Sequence, residues 1–157
     1  MINSGLGSAT TVAAMAGSPI TLRQVALDCT DARLLAEFYR QLLDLDYRPG
    51  DEPPGPGEPD PLGHDWLVLR NPAGGMHLAF QNVAAQPEST WPDAGVPQML
   101  HLDLTVETTA ELDAQHARAL ALGARLLRDR SDDPEEQLRV YADPAGHPFC
   151  IFVAPPA

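Results

Sequence analysis

Hydrophobic and polar residues alternate near the start of the chain and then change to helical spacing. Residues 20 to 29, ITLRQVALDC, alternate as a half-buried strand does, and TDARLLAEFYRQLL follows at once. This spacing predicts a helix whose apolar face is formed by Leu34, Leu35, Phe38 and Leu42. Thr30 or Asp31 would cap the helix start, because either side chain accepts a hydrogen bond from a free backbone N–H group.

The same change of period occurs a second time. MLHLDLTV alternates, and ETTAELDAQHARALALGA then takes helical spacing. Thr108 and Glu111 have the spacing of a capping box, and Gly123 suits the C-terminal stop. The predicted apolar face of this second helix consists of Leu112, Ala119 and Leu120.

A shift of 77 positions superimposes the two copies. It pairs Gln24 with His101, Leu27 with Leu104, Leu35 with Leu112 and Leu43 with Leu120. Short apolar stretches continue each copy: WLVLR and MHLAFQNV in the first, ARLLRD, LRVYAD and PFCIFV in the second. The turns NPAGG and DPAGH precede the last strands. We infer a divergent repeat of strand, helix and two or three strands.

Length and composition narrow the classes of function. With 157 residues the chain fits one domain or two small modules that share a core. A net charge of -12 argues against nucleic acid and anionic membranes as partners. Cys29 and Cys150 are too few for a disulfide framework, and no stretch approaches the roughly 20 apolar residues of a membrane helix. We expect a cytoplasmic protein.

Residues 1 to 19 are small and polar, and they predict a disordered N-terminal tail. The segment contains AMA, as signal-peptidase sites do, but no Lys or Arg precedes it and the apolar run is broken. Met15 begins a run that leads directly into the first strand. Translation from Met15 instead of Met1 is therefore a hypothesis, which the mass of the native protein would test.

Five segments carry a resemblance to a known family: LDCTDARLLAEFY, LAFQNV, WPDAGVPQMLHLDL, ALGARLL and YADPAGHPFCIFV. Together they resemble the vicinal oxygen chelate (VOC) superfamily, in particular its glyoxalase-like, bleomycin-resistance and dioxygenase group. The resemblance covers residues 20 to 154 and implies an α+β fold. In that fold, two βαβββ modules form a cup-shaped mixed sheet with helices outside. Module one would span 20–83, the linker 84–97 and module two 98–154.

Strand alternation then assigns residues to the inside of the cup. If Val25, Leu27 and Cys29 pack against the helix, Gln24, Ala26 and Asp28 face the opposite way. The same parity predicts that the cup is lined by His77, Ala79, Gln81, His101, Asp103, Thr105, Cys150 and Phe152. Of these, we take Gln24, Asp28, Gln81, Asp103, Cys150 and Phe152 as ligand-binding candidates.

Metal-dependent members of the superfamily take one ligand from each of four strands. The corresponding positions here look like Gln24, Gln81, His101 and Cys150, with Ala79 or His77 as alternatives to Gln81. Both expected carboxylates are missing, and an amide cannot act as a general base near neutral pH. A true glyoxalase I and a two-histidine, one-carboxylate iron site are therefore not favoured. No metal is favoured, although a divalent ion on this set stays open.

The remaining candidates each have a structural alternative. His101 could exchange a proton with a ligand near neutral pH, or its nitrogens could simply be satisfied by hydrogen bonds. Asp103 fits a solvated rim better than an unpaired buried site. Cys150 fits a small buried hydrophobe better than a nucleophile. His147 fits a turn residue, and His64 and His116 fit surface positions.

Two loops could contribute to the site. Residues 48 to 66 are rich in Pro, Gly and acidic side chains, and form either a solvated connector or a lid over the cup. Trp66 begins a strand and could cover the pocket with its aromatic face, so it is a further ligand-binding candidate. Trp91 lies in the linker and could pack at the module junction.

The resemblance and the residues favour a protein that binds a small organic molecule in the cup, in a homodimer of the kind common in the family. Its enzymatic version is a metal-independent isomerase or lyase in which His101 is the catalytic residue for proton transfer. A non-catalytic binder, such as an antibiotic-sequestering resistance protein, is the alternative. A divalent-metal-dependent lyase or dioxygenase is the second alternative.

Overall fold

The structure is a computed structural model that describes residues 21–154. Both predictions about the N-terminus, the disordered tail over residues 1 to 19 and the start at Met15, lie outside this part of the chain. The residues described form two α-helices and eight strands in two successive modules. Each module has the order strand, helix, three strands, as the internal repeat predicts.

Module one contains β1 (Gln24–Cys29), α1 (Ala32–Leu43), β2 (Asp46–Tyr47), β3 (Trp66–Arg70) and β4 (His77–Asn82). Its sheet, called sheet one, has the order β1-β4-β3-β2. The two strands at the ends of the repeat, β1 and β4, pair in parallel, and the other neighbours are antiparallel. Only β2, two residues long, had no counterpart among the predicted strands.

Module two contains β5 (Leu102–Val106), α2 (Thr109–Ala121), β6 (Arg125–Arg130), β7 (Leu138–Ala142) and β8 (Pro148–Val153). Its sheet, called sheet two, has the matching order β5-β8-β7-β6 with β5 parallel to β8. The predicted α+β fold of two βαβββ modules is confirmed. Among the described strands, sheet one and sheet two share no ladder and do not close into a barrel.

Helix α1 begins where its sequence predicts. Asp31 is the N-cap, and its carboxylate accepts a hydrogen bond of 2.9 Å from the Leu34 backbone N–H. Leu35, Phe38 and Leu42 are buried as predicted. The prediction for Leu34 was wrong, because this side chain is 56% exposed. Leu34 precedes Leu35 by one residue, which turns its side chain by about 100° around the helix axis and away from the sheet.

Helix α2 has the predicted capping box, in which Thr108 and Glu111 each satisfy the other's backbone N–H. Gly123 follows the helix end with a positive φ of 107°, which favours glycine. One prediction on this helix was wrong, because Leu120 is 42% exposed instead of buried with Leu112. His116 is half-buried, and its Nδ1 lies 3.1 Å from the Tyr141 hydroxyl.

One hydrophobic core joins the two modules. Tyr39 of α1 stacks on Phe80 of sheet one and meets Phe149 of sheet two edge-on, at ring-centroid distances of 5.9 and 6.3 Å. Phe38 also packs edge-on against Phe149, at 5.8 Å. The Tyr39 hydroxyl donates a buried hydrogen bond of 2.9 Å to Asp143. Module one therefore completes its core only with residues of module two.

The segment of residues 48 to 66 is attached to helix α1. Arg33 donates to the Asp60 carboxylate at 2.7 Å and to the Asp51 carbonyl at 2.8 Å. Asp51 is 4% exposed, and its carboxylate accepts the Val68 backbone N–H at 2.8 Å. These bonds favour the connector interpretation over the lid. Neither α-helix of the described residues is long and apolar enough to cross a membrane.

Candidate functional site

The register of sheet two brings three chemically active side chains together. Asp103 on β5 pairs with Cys150 on β8, and Cys150 pairs in turn with Val140 on β7. Their side chains lie on the face opposite Phe149 and Ile151, which belong to the core. His101 immediately precedes β5 and has the same parity as Asp103. The predicted neighbourhood of these three residues therefore follows from strand geometry.

One carboxylate oxygen of Asp103 links the other two groups. The Cys150 thiol donates to Asp103 Oδ1 at 2.8 Å, and His101 Nε2 lies 3.3 Å from the same oxygen. Burial and the adjacent Asp103 carboxylate raise the pKa of the Cys150 thiol to about 12. Cys150 is therefore a protonated donor near neutral pH, and a nucleophilic thiolate is not favoured. The Asp103 and His101 side chains are 59% and 45% exposed.

A cavity of about 290 Å³, called the His101 cavity, opens at this cluster. Its polar lining comes from His101, Asp103, Cys150, Gln98 and Glu136. Its apolar walls are formed by Trp91, Leu138, Val140 and Phe152. Phe152 thus lies in the cavity as predicted. Trp91, which we had expected only at the module junction, supplies an aromatic wall that parity could not reveal because it lies in the linker.

The other four candidates lie on sheet one. Asp28 pairs with Gln81, and Gln81 pairs with Trp66, so these three form one row across the sheet. Gln24 pairs with His77 at the opposite end of β1. The His101 cavity is not lined by Gln24, Asp28, Trp66 or Gln81. Trp66 therefore does not cover this cavity, and Asp28 instead lines a different one.

Comparison with known families decides the relationship that this fold suggests. The family model of the glyoxalase-like domain matches residues 24–152. This range contains all eight strands except Val153, the last residue of β8. The chain belongs to the glyoxalase-like domain family. It is thus a member of the VOC superfamily. No curated protein matches the sequence significantly.

Solved structures support the fold of this glyoxalase-like domain. A hypothetical protein from S. aureus superimposes with a TM-score of 0.60 at 16% identity, covering 88% of this chain and 100% of that one. A glyoxalase/bleomycin resistance protein/dioxygenase family enzyme from Burkholderia phytofirmans PsJN gives 0.59 at 17%, with 85% and 98% covered. Lactoylglutathione lyase from Agrobacterium tumefaciens gives 0.52 at 17%, with 88% and 96% covered. These identities are low and show the fold alone.

Divalent metals are common in the VOC superfamily, and binding one would require suitable ligand side chains in this glyoxalase-like domain. Within residues 21–154, no three His, Cys, Asp or Glu side chains are grouped so that they could hold a metal ion. Of the four positions that the resemblance implies, Gln24 and Gln81 offer only amides, and Cys150 holds a thiol proton against Asp103. Amides are poor ligands for divalent metals, and burial and Asp103, which raise the pKa of the Cys150 thiol to about 12, oppose the loss of the proton that binding would require. This donor set does not fit a divalent metal.

A second histidine of the glyoxalase-like domain has a more defined environment than the sequence indicated. His147 Nδ1 lies 3.0 Å from Asp143 Oδ2, and the Asp143 side chain is fully buried. The turn assigned to DPAGH is present, because the backbone N–H groups of Ala145 and His147 donate to Asp143. The four-residue spacing of Asp143 and His147 was the sequence signal available for this contact. From the sequence, His147 was predicted only as a turn residue, and the contact of its ring with Asp143 was not predicted.

Proposed function

We propose that this chain binds a small organic molecule in the His101 cavity. The supporting observation is the clustering of His101, Asp103 and Cys150 at the polar end of a cavity whose walls include Trp91 and Phe152. A few convergent polar groups on mostly apolar walls are typical of ligand sites. A volume of about 290 Å³ suits a ligand at the small end of the usual range.

The charges around the cavity favour a neutral or cationic ligand. Asp103 and Glu136 both line it, and the chain carries a net charge of -12. A carboxylate ligand placed there would be repelled by both side chains and by the field of the whole protein. The aromatic walls offer a favourable face to a cation as well as to an apolar group. Ligands with two or more carboxylates are therefore disfavoured.

The enzymatic form of this proposal is proton transfer by His101, in a metal-independent isomerase or lyase. His101 Nδ1, the ring nitrogen that does not face Asp103, would take a proton from a C–H or O–H group of the bound molecule, while Nε2 keeps its hydrogen towards Asp103. Asp103, 3.3 Å from Nε2, would stabilise the imidazolium that forms. The same proton would return to a different atom of the ligand in an isomerisation, or to the departing fragment in a cleavage. Cys150 would remain a thiol and donate only a hydrogen bond.

Non-catalytic sequestration is the second candidate, and the exposure of His101 favours it. In the single chain, 45% of its side chain is accessible, so the imidazole is not shielded from water there. Proton-transfer enzymes generally exclude water from the reacting group. A binder needs only the walls and the polar contacts, so the same cavity would serve it equally well.

A size-matched set of ring compounds tests binding and its charge preference. Benzylamine, benzyl alcohol and benzoate would each be titrated into ¹⁵N-labelled protein, with the Trp91 indole and His101 resonances followed by NMR. We expect the amine and the alcohol to shift these signals at lower concentrations than benzoate. Asp103→Asn should weaken the preference for the amine, whereas Gln24→Ala on sheet one should not change it. Tightest binding by benzoate, or shifts confined to other regions, would refute the proposal.

Deuterium incorporation separates the two versions. Once a ligand binds, an enzyme should exchange one of its carbon-bound hydrogens with D₂O, and His101→Gln should abolish exchange while retaining binding. A ligand that binds without exchange in the wild-type protein identifies a sequestering protein.

Elemental analysis addresses the metal-dependent alternative. Protein purified without chelator or nickel would be compared with Gln24→Ala, His101→Ala and Cys150→Ala. One equivalent of a divalent metal per chain that all three variants lose would overturn the proposed mechanism and restore the four-ligand site.

We also propose that the chain forms a homodimer. A mostly apolar groove of about 500 Å³ lies between the edge strands β1 and β5, where Val25, Leu78, Leu102 and Leu104 contribute to its walls. His101 and Asp103 also line this groove, so a second chain seated there would lie beside the proposed site. Met76 and Leu100 on its border are each 48% exposed. Light scattering should give twice the mass of one chain, and Met76→Lys should reduce it. A single-chain mass at micromolar concentration would contradict the dimer.

A further inference from the structure

A second cavity, called the His147 cavity, lies between strand β1, the linker and the turn before β8. Its volume is about 370 Å³, and its apolar lining includes Pro87, Met99, Leu100 and Pro148. The polar groups that line it are Asp28, Gln86, Ser89, Gln98 and His147. Gln98 lines both cavities, so they adjoin, but neither His101 nor Cys150 lines this one and His147 does not line the other.

Asp143 holds the His147 ring in a fixed position at the cavity wall. His147 Nδ1 lies 3.0 Å from Asp143 Oδ2 and 3.3 Å from Oδ1. The carboxylate also accepts the Tyr39 hydroxyl at 2.9 Å and the backbone N–H of Ala145 at 2.8 Å. Burial and the Asp143 charge raise the pKa of Tyr39 well above its usual range, so its hydroxyl remains a donor. Asp143 is therefore an acceptor for all these groups.

This arrangement determines which ring nitrogen carries the proton. An acceptor carboxylate at Nδ1 requires hydrogen on Nδ1, which leaves a lone pair on Nε2 of the neutral ring. The only polar contact that the structure gives to Nε2 within the described residues is the Gln86 amide nitrogen, at 3.4 Å. That nitrogen can only donate, which agrees with an accepting Nε2. At this distance the bond is weak, and a better donor would displace it.

The structure of the turn does not by itself require an imidazole side chain at position 147. The Asp143 carboxylate already holds the turn through the backbone N–H groups of Ala145 and His147. A residue without a ring could supply the second of these bonds. The side chain is 18% exposed, and besides contacting Asp143 it lines the cavity. A carboxylate that orients an imidazole in this way also strengthens its other nitrogen as an acceptor.

We propose that the His147 cavity is a second ligand site, in which His147 Nε2 accepts a hydrogen bond from a neutral alcohol or phenol. The acceptor nitrogen selects a ligand with an O–H donor. Asp28 in the lining and the net charge of -12 disfavour an anion. The apolar groups opposite, Met99, Leu100 and Pro148, provide contact for the hydrocarbon part.

The first measurement concerns the tautomer and needs no ligand. Long-range ¹H–¹⁵N spectra of the wild-type protein should show His147 with its proton on Nδ1 at neutral pH. A proton on Nε2 would overturn the proposal, because Nε2 could then no longer accept.

The second measurement uses phenol as the probe and anisole as the matched compound without the donor. Phenol should shift the His147 Nε2 resonance and bind roughly threefold to tenfold more tightly than anisole, as expected for one hydrogen bond. His147→Phe should remove this difference, whereas His64→Gln, at an exposed histidine that lines neither cavity, should retain it.

Three results would refute the site: equal affinity for phenol and anisole, no saturable binding of phenol, or shifts centred on His101. The last result would assign phenol to the other cavity and leave the proposed function intact. Conversely, the absence of benzylamine and benzyl alcohol binding at the His101 cavity would not affect the phenol result. Binding at the two cavities is followed through different NMR signals, those of His101 and of His147.

Discussion

At the scale of single residues, Asp103 has the most consequential position. Its oxygen Oδ1 is shared between the Cys150 thiol and the His101 ring. A carboxylate beside a thiol opposes loss of the thiol proton, because two negative charges would face each other at close range. The same carboxylate lies 3.3 Å from His101 Nε2, close enough to orient the ring. Asp103 thus keeps Cys150 as a thiol and positions His101.

Cys150 should therefore react slowly with alkylating agents. A pKa of about 12 leaves a far smaller thiolate fraction than in a free cysteine, so alkylation by iodoacetamide at pH 7.5 should be about a thousandfold slower. The measurement would use Cys29→Ala, which leaves a single thiol, and peptide mass spectrometry. Asp103→Asn in the same background should accelerate the reaction. A rate close to that of free cysteine would contradict the assigned environment.

Tyr39→Phe should destabilise the protein by about 1.5–3 kcal/mol, since it removes a hydrogen bond to the buried Asp143 carboxylate. Tyr141→Phe is the matched control, because Tyr141 is equally buried and its hydroxyl contacts the His116 ring at 3.1 Å. Among the described residues the Tyr141 hydroxyl has no carboxylate partner, so its loss should cost only about 0.5–1.5 kcal/mol. Urea unfolding of both variants measures the difference, and equal losses would be inconsistent with a charged acceptor at Tyr39.

The sequence predicts residue neighbours where a regular element carries them. Alternation placed His101, Asp103 and Cys150 on one face, because strand parity is a local property and the repeat identifies equivalent strands. Trp91 and His147 were not predicted as site residues, since the linker and the turn follow no period. Whether two faces meet in one cavity depends on how the sheets pack, which is why Gln24 and Gln81 were grouped with His101 on resemblance alone.

At the scale of elements, the turn before β8 is held against the linker at Gly146. A Cβ at this glycine would lie 2.5 Å from Glu88 Cγ and 3.2 Å from Glu88 Cα, and the φ angle of 92° is itself unfavourable for other residues. Gly74 has nearly the same φ of 91° with open space around it. Comparing alanine variants of Gly146 and Gly74 therefore distinguishes the cost of the backbone conformation from the cost of a steric clash with the linker.

Gly146→Ala should be more destabilising than Gly74→Ala. The positive φ angle should cost about 1 kcal/mol in either variant, and overpacking against Glu88 should add about 1–3 kcal/mol to Gly146→Ala alone. Urea unfolding tests both. Identical losses would mean that the linker moves away freely.

An ion pair sensitive to acid, between Asp129 on β6 and Arg139 on β7, joins these two strands. Hydrogen bonds from Ser131 and then Arg139 lower the pKa of Asp129 to about 2. Because this lies below the unfolded value of about 3.9, the stabilisation is present above about pH 4 and is lost as the pH falls towards 2. The difference in stability between the wild-type protein and Asp129→Asn should therefore shrink over this window in denaturant titrations. A difference that widens on acidification would contradict the assignment.

Helix ends were easier to predict than helix faces. The Asp31 cap and the Thr108–Glu111 capping box depend on residues within one turn of each other, so the sequence contains all the information. Leu34 and Leu120 fit the apolar pattern as well as their neighbours do, yet both are exposed. Which arc of a helix is covered depends on the sheet beneath it, and this is a tertiary property.

At the scale of the whole molecule, acidic charge dominates. With 22 acidic and 10 basic residues, the folded chain carries a net charge of -12 and repels itself. Raising NaCl from 10 to 150 mM should increase the thermal midpoint, because the screening length falls from about 30 to about 8 Å. Choline chloride should act equally, which would identify screening instead of sodium binding. A midpoint that falls with either salt would show that attractive ion pairs prevail.

The hydrogen bond from Tyr39 to Asp143 crosses 104 positions of sequence, and this separation has a consequence for the growing polypeptide. Helix α1 leaves the ribosome long before Asp143 and Phe149 have been translated. During that interval Phe38 and Tyr39 have none of their module-two partners, and at roughly 5–20 residues per second the delay lasts several seconds. The nascent first module therefore exposes apolar surface around these two rings until the second module has been made.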